Sequence, residues 1–402
     1  MNEFMERQVK FQWHAPKKGY DVVIIGGGGH GLSAAYHLAK RWGIKNVAVL
    51  EGKYIGGGNS GRNTTIIRAN YGIPESVRFY QRSLELYQQL EEETGRWIMH
   101  QQKGILWLAH SEAAVRAERA RAEVNQAFGA DTVFVSPDEV KELVPQIDLS
   151  GGGHWPVMGG SYHREGATAR HDRVNWAYAE GAMQEGVHIH QNTQVTGLIL
   201  KDNQILGVKT DKGEIYADKV LCAVGGHVTT ITDMAGLRIP IRTHPLQAFV
   251  TNHYELKFEP IVASTSLLFY VSQTARGEML MGAEIDRQPS YSYRAGHHLI
   301  QSCAHRAITL LPFLRNLRIL RQWTGICDMS PDYSPIMGKT PIENFFITTG
   351  WGTWGFKAIP ASGEQMAEYI ARDKAPKLIA PFSLDRFAQD RTLADRGSAG
   401  TH

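Results

Sequence analysis

The sequence predicts an α/β protein with an α+β insertion: a Rossmann-like nucleotide-binding domain interrupted by a discontinuous antiparallel-sheet substrate domain. Three observations predict it. A β-branched apolar run at 20–25 leads through Gly26-Gly27-Gly28-Gly29-His30-Gly31 into a helical pattern at 32–40. A second apolar run at 46–50 ends in Glu51, twenty residues after Gly31. Much later, a buried-strand pattern at 219–224 ends in Gly225-Gly226, so the first domain resumes after an insertion. The expected division gives 18–90, 155–235 and 320–390 to the nucleotide domain and 91–154 with 236–319 to the substrate domain. Residues 1–17 and 391–402 are then terminal extensions.

Gly26, Gly28 and Gly31 fall on GxGxxG between a strand and a helix, the setting that gives the motif its meaning. Gly26 permits the tight turn, Gly28 admits a pyrophosphate to the backbone, and Gly31 lets helix and strand pack closely. The helix N-terminus then turns unpaired N–H groups toward the phosphates. Glu51 stands where an acid accepts hydrogen bonds from ribose hydroxyls. A glycine-rich excursion, 52–62, follows in place of a quick third parallel strand. Such an excursion suits a backbone that wraps a bulky flavin, so FAD is favoured over a dissociating nicotinamide.

Further along, helical spacing marks 73–94 and 113–128, and Ser136 caps a short helix ending before Pro145. Residues 168–185 read as helix and 187–190 as strand; 195–200 and 205–209 form a hairpin. From 239 to 284 β-like runs dominate, including 267–271 and 278–281; 304–314 is helical and 319–324 extended.

Composition narrows the class. Hydrophobic residues at 43 % and charged residues at 21 % exclude a disordered or fibrous chain. Lys+Arg 43 against Asp+Glu 40 leave +3, too balanced for coating nucleic acid. No apolar run approaches the ~20 residues of a membrane span, and residues 1–18 lack a signal-peptide core, so a cytoplasmic location is expected. Cys222, Cys303 and Cys327 include no CxxC pair, which argues against a disulfide framework or a cysteine-rich zinc site, and no bound metal is expected.

The C-terminal third carries the identifying residues. Asp328-Met329-Ser330-Pro331-Asp332-Tyr333-Ser334-Pro335 precedes a strand at 345–349 and then Gly350-Trp351-Gly352-Thr353-Trp354-Gly355-Phe356-Lys357, with a helix expected after Pro360. With the N-terminal glycines and Ala380-Pro381-Phe382-Ser383, the chain resembles the β subunit of heterotetrameric sarcosine oxidase. That family belongs to the flavoproteins related to glycine oxidase and D-amino acid oxidase, and the resemblance covers nearly the whole chain.

The resemblance implies an amine oxidoreductase acting on CH–NH bonds by FAD-dependent oxidative demethylation of a sarcosine-like N-methyl amino acid. Noncovalent FAD would touch Gly26, Gly28, Gly29, His30, Gly31, Glu51, Asn59, Thr65, Ile67, Val195, Gly352, Gly355 and Lys357. Arg68 and Lys357 would hold the substrate carboxylate, with Tyr270 contributing a hydroxyl; these are the candidate catalytic residues. His171 would carry a covalent FMN that passes electrons onward. Partner subunits of α, γ and δ type would hold NAD, folate and zinc. Two positions depart from the family: Leu268 replaces a histidine and Trp354 a glycine, both expected at the substrate face. These leave open an N-methylglutamate dehydrogenase subunit, or a dehydrogenase of another secondary amino acid such as proline or dimethylglycine. A noncatalytic flavoprotein scaffold and a self-sufficient monomeric oxidase also stay open.

Overall fold

The apolar runs read from the sequence become a parallel sheet, seen in a computed structural model that describes residues 11–255 and 258–393. Its parallel strands lie in the order Phe345–Thr349, Gly213–Cys222, Gly19–Ile25, Val47–Leu50 and His188–His190. All four residues of Val47–Leu50 are buried, as a strand covered on both faces requires. The hairpin Val195–Lys201 and Gln204–Thr210 extends one edge, antiparallel to the start of Gly213–Cys222. The extensions expected at 1–17 and 391–402 lie mostly outside the described residues.

Helices Gly29–Trp42, His171–Gln184 and Gly355–Arg372 cover one face, burying Leu32, Leu38, Val174, Tyr178 and Ile359 together. The first and last of these pack so closely that a Cβ on Gly363 would collide with Ser33. At the other side of the strands, Val23, Ile25, Val220 and Ile347 form a second apolar layer.

The second sheet runs Ile319–Met329, Arg242–His253, Glu278–Ile285, Phe269–Gln273, Ile261–Ser264, Ile105–Leu108, Gly160–His163 and Thr132–Val135. Its neighbours are antiparallel except Ile261–Ser264 beside Ile105–Leu108. Phe249, Val262, Phe269 and Val271 pack beneath helix His297–Leu310. The ranges 155–235 and 320–390 each contribute a strand to this sheet as well as to the parallel one. A small third sheet, Ile66–Ile67 with Ala167–Thr168 and Gln101–Gln102, ends beside Arg68.

Three helix boundaries differ from expectation. The helix expected over 168–185 starts at His171, because Ala167 and Thr168 are spent on pairing with Ile66 and Ile67. The helix expected over 304–314 starts earlier, at His297, and ends before Pro312. The last helix begins at Gly355 and keeps Pro360 inside it. Proline there cannot donate to the carbonyl of Phe356, and the Tyr87 hydroxyl donates to that oxygen instead, at 2.6 Å. Ser83 likewise donates to the Lys357 carbonyl at 2.6 Å. Among the described residues no helix is long and apolar enough to cross a membrane.

Candidate active site

At the carboxyl ends of the parallel strands a cavity of about 490 Å³ runs from the glycine turn to the face of the second sheet. Gly26, with φ +111°, makes the turn, and a Cβ on Gly31 would collide with the Gly26 carbonyl oxygen. Helix Gly29–Trp42 has Gly28 as its N-cap and no acid in its first turn; Ser60 Oγ accepts from the Gly29 N–H at 2.9 Å. That is an anion cradle open to a pyrophosphate. Glu51 Oε2 accepts from the Gly27 N–H and Oε1 from the Lys53 N–H, each at 2.9 Å, which fixes the carboxylate at the cavity wall. The cradle and the acid fit a bound dinucleotide.

The loop after Glu51 crosses this cavity and is tied down on its far side. Asn59 Oδ1 accepts from the Ile326 N–H at 2.9 Å, and its amide donates back to the Ile326 carbonyl. Thr65 sits at φ +62°, an outlying conformation for a β-branched residue, with its N–H donating to Asn63 Oδ1 at 2.7 Å. Strain of this kind is held where a site needs the backbone in one place.

Beyond Thr65, Arg68 is buried (4 % exposed) and oriented from three sides. It donates to the Asn70 carbonyl and side-chain oxygens at 2.8 and 3.0 Å, and its guanidinium lies 4.2 Å from the Tyr71 ring centroid and 5.0 Å from that of Trp107. Lys357 is also buried, in the first turn of helix Gly355–Arg372, and its ammonium donates to the Thr353 carbonyl at 3.3 Å. Burial, and then the charge of Arg68, hold its pKa well below the ordinary lysine value. Arg68 and Lys357 both line the one cavity, and their positive charge there favours an anionic ligand.

The remaining walls are aromatic or held by one acid. His30 stacks on Trp351 with ring centroids 4.3 Å apart, and burial pushes its pKa down to about 3, so the imidazole is neutral. Asp328 accepts from Thr349 Oγ1 at 2.8 Å, from the Gly350 N–H at 2.7 Å and from the Trp351 N–H at 3.2 Å. This carboxylate therefore shapes the turn that presents Gly352 and Gly355. Tyr270 reaches the cavity because Gly282 beneath it has no Cβ to obstruct its hydroxyl.

Gly26, Gly28, Gly29, His30, Glu51, Asn59, Thr65, Arg68, Val195, Tyr270, Gly352, Gly355 and Lys357 thus line one cavity. Gly31 and Ile67 lie behind the lining, as packing residues. His171 is outside it, in the first turn of its helix, with Nδ1 buried and unpartnered. Trp354 lines the cavity, whereas Leu268 faces a separate one, so only one of the two departures borders the site. Leu268 stands at φ +47° in the turn before strand Phe269–Gln273. Sequence reasoning missed the Tyr71–Trp107 clamp and the role of Asp328; an acid ending the apolar run at 324–328 was the available signal for the latter.

Residues 21–369 match the family of FAD-dependent oxidoreductases. The chain is 43 % identical to the sarcosine oxidase subunit beta of Arthrobacter sp over 401 residues, covering 99 % of both chains. With the subunit beta of Rhizobium meliloti it shares 42 % identity, over 95 % of this chain and 92 % of that one. Among solved structures, the L-proline dehydrogenase of P. horikoshii superposes with a TM-score of 0.88 at 31 % identity, covering 94 % of this chain and 99 % of that one.

Proposed function

This chain belongs to the family of FAD-dependent oxidoreductases, with the β subunits of sarcosine oxidase, and on that premise we propose that it oxidises the C–N bond of an N-methyl amino acid. It is a flavin-dependent amine oxidoreductase acting on CH–NH bonds. One observation carries the choice of substrate: Arg68 and Lys357 are two buried cations in the wall of the cavity that holds the glycine turn.

Bound FAD supplies the two-electron acceptor for amine oxidation. The planar fork of Arg68, fixed against Tyr71 and Trp107, grips the substrate carboxylate, and Lys357 adds a point charge beside it. Holding the carboxylate at one end presents the N-methyl carbon at a set place, which is the larger part of the rate gain such a site can give. Trp107, Trp351 and Trp354 shut water from that place. Burial raises the Tyr270 pKa, so its hydroxyl stays protonated and can donate to the ligand. The iminium product is hydrolysed to formaldehyde or captured by folate in a partner subunit.

Noncovalent binding of FAD is supported by Cys327, whose thiol burial pushes far up and leaves protonated and inert. His171 is the proposed attachment point of FMN, which relays electrons to the acceptor. Its Nδ1 lacks a partner and burial lowers its pKa, so a neutral imidazole is there to form the bond. Its position outside the cavity accords with separate sites for oxidation and relay. In this proposal the chain works with α, γ and δ type subunits that carry NAD, folate and zinc. Three buried cysteines held as thiols accord with a cytoplasmic location.

A second substrate class, a larger or cyclic secondary amino acid, is favoured by the likeness to L-proline dehydrogenase and by Trp354 at the cavity. Dye reduction with a panel of N-methyl amino acids, proline and the matching amides separates the classes. Turnover of N-methyl acids but not of their amides is expected, and no turnover of any N-methyl acid overturns the proposal.

A further inference from the structure

A second cavity, about 670 Å³, lies beyond the first along the same sheet face. The strand periodicity places the two end to end. In strand Arg242–His253, His244 lines the second cavity and Leu246 the first. In the facing strand Ile319–Met329, Met329 lines the second and Cys327 the first. Residues two apart on a strand share a face, and the register pairs Arg242 with Met329 and His244 with Cys327. On a third segment Leu268, in the turn before its strand, lines the second cavity and Tyr270 the first.

What divides the cavities is thin. The sulfur of Met329 lies 3.0 Å from where a Cβ on Gly352 would stand, and Gly352 lines the first cavity. Methionine is unbranched and readily changes rotamer, so this wall can yield without moving backbone. Leu268 and Tyr333, non-glycine residues with φ of +47° and +58°, both line the second cavity. Backbone held in that region marks a place whose shape matters. At the rim stand Arg242 and Arg287, both exposed, against a single acid, Asp286. His244 is held at this wall by its Nδ1–H, which donates to the Asp286 carbonyl at 2.9 Å.

We propose that this second cavity is the antechamber by which a carboxylate-bearing amine reaches Arg68 and Lys357, with Arg242 and Arg287 drawing the anion in and Met329 as the narrowing it passes. The inference rests on the substrate class proposed above. Its charge logic is simple: an exposed pair of cations at a cleft mouth raises the arrival rate of an anion and is screened by salt.

The test uses the holoenzyme complex and two probes, sarcosine for turnover and acetate for binding followed by flavin absorbance. Arg242→Gln with Arg287→Gln is expected to lower kcat/KM for sarcosine and the association rate of acetate by roughly three- to tenfold at low ionic strength. The difference should close in high salt while kcat holds. Met329→Trp is expected to slow association of both probes at every salt concentration. Wild-type turnover of sarcosine with unchanged association rates in all variants overturns the antechamber and leaves the substrate class standing. Slowed acetate association without turnover of any N-methyl acid overturns the substrate class and leaves the antechamber standing.

Discussion

The indole of Trp354 meets the ring of Tyr71 edge-on, with centroids 4.9 Å apart. Tyr71 in turn lies 4.2 Å beneath the guanidinium of Arg68 and stacks on Tyr80 at 4.1 Å. A position that departs from the family pattern is therefore wired, through one ring, to the cation expected to hold the substrate. Trp354→Gly is expected to destabilise the protein by about 3–5 kcal/mol through the cavity it leaves. KM for the carboxylate substrate should rise as Tyr71 loosens, with Trp354→Phe intermediate in both. Thermal melts and steady-state kinetics check this; unchanged midpoints and KM would detach Trp354 from the clamp.

Gly28→Ala should weaken FAD retention while the fold survives. The added methyl meets only Ser60 Oγ, at 3.1 Å, in the protein itself, so the main loss falls on the phosphate approach. Flavin content after gel filtration reads it directly. Gly31→Ala, which would collide with the Gly26 carbonyl, should instead lower the melting temperature.

Lys357 makes carboxylate binding pH-dependent. Burial and then Arg68 lower its pKa in the free protein, and a bound anion raises it again. The protonated form binds better, so acetate affinity should be flat below the depressed pKa. It should then fall about tenfold per pH unit as pH rises toward the bound-state value. Calorimetry in buffers of differing ionisation heat should record proton uptake on binding, and Lys357→Gln should abolish it.

The glycine turn and Glu51 were legible because they sit in a short motif whose chemistry is local, whereas Arg68 and Lys357 were reached through the resemblance to the sarcosine oxidase β subunits. The support behind them was not legible. Tyr71, Trp107 and Trp354 come together from three distant segments, and nothing in their spacing places them around Arg68. The start of the last helix at Gly355 was hidden for a similar reason: Pro360 suggests a break, and Tyr87 repairs it from another helix. Leu268 lies in the turn before its strand and lines the second cavity, a placement that alternation along the strand does not reach. The parallel sheet was easier, since the runs at 20–25, 46–50 and 219–224 are largely apolar and closed by glycine or acid.

The proposed FMN attachment at His171 would separate relay from oxidation. Denatured wild-type protein should keep one flavin as covalent FMN and release FAD, giving a fluorescent band on a gel. His171→Ala should lose the band, retain FAD and still accept electrons from substrate, with poor transfer to the acceptor. A band that survives this change and vanishes in Cys327→Ser would move the attachment to the thiol.

The most direct measurement is an anaerobic titration of the oxidised flavin band with sarcosine and larger N-methyl amino acids, in wild type and in Arg68→Lys. Wild type should bleach with at least one of them. Arg68→Lys should bleach to the same extent but need about tenfold or more substrate, because the fork is lost while the charge stays. Failure of every N-methyl amino acid to bleach the wild-type flavin, or identical titrations for the two proteins, would contradict substrate capture by Arg68.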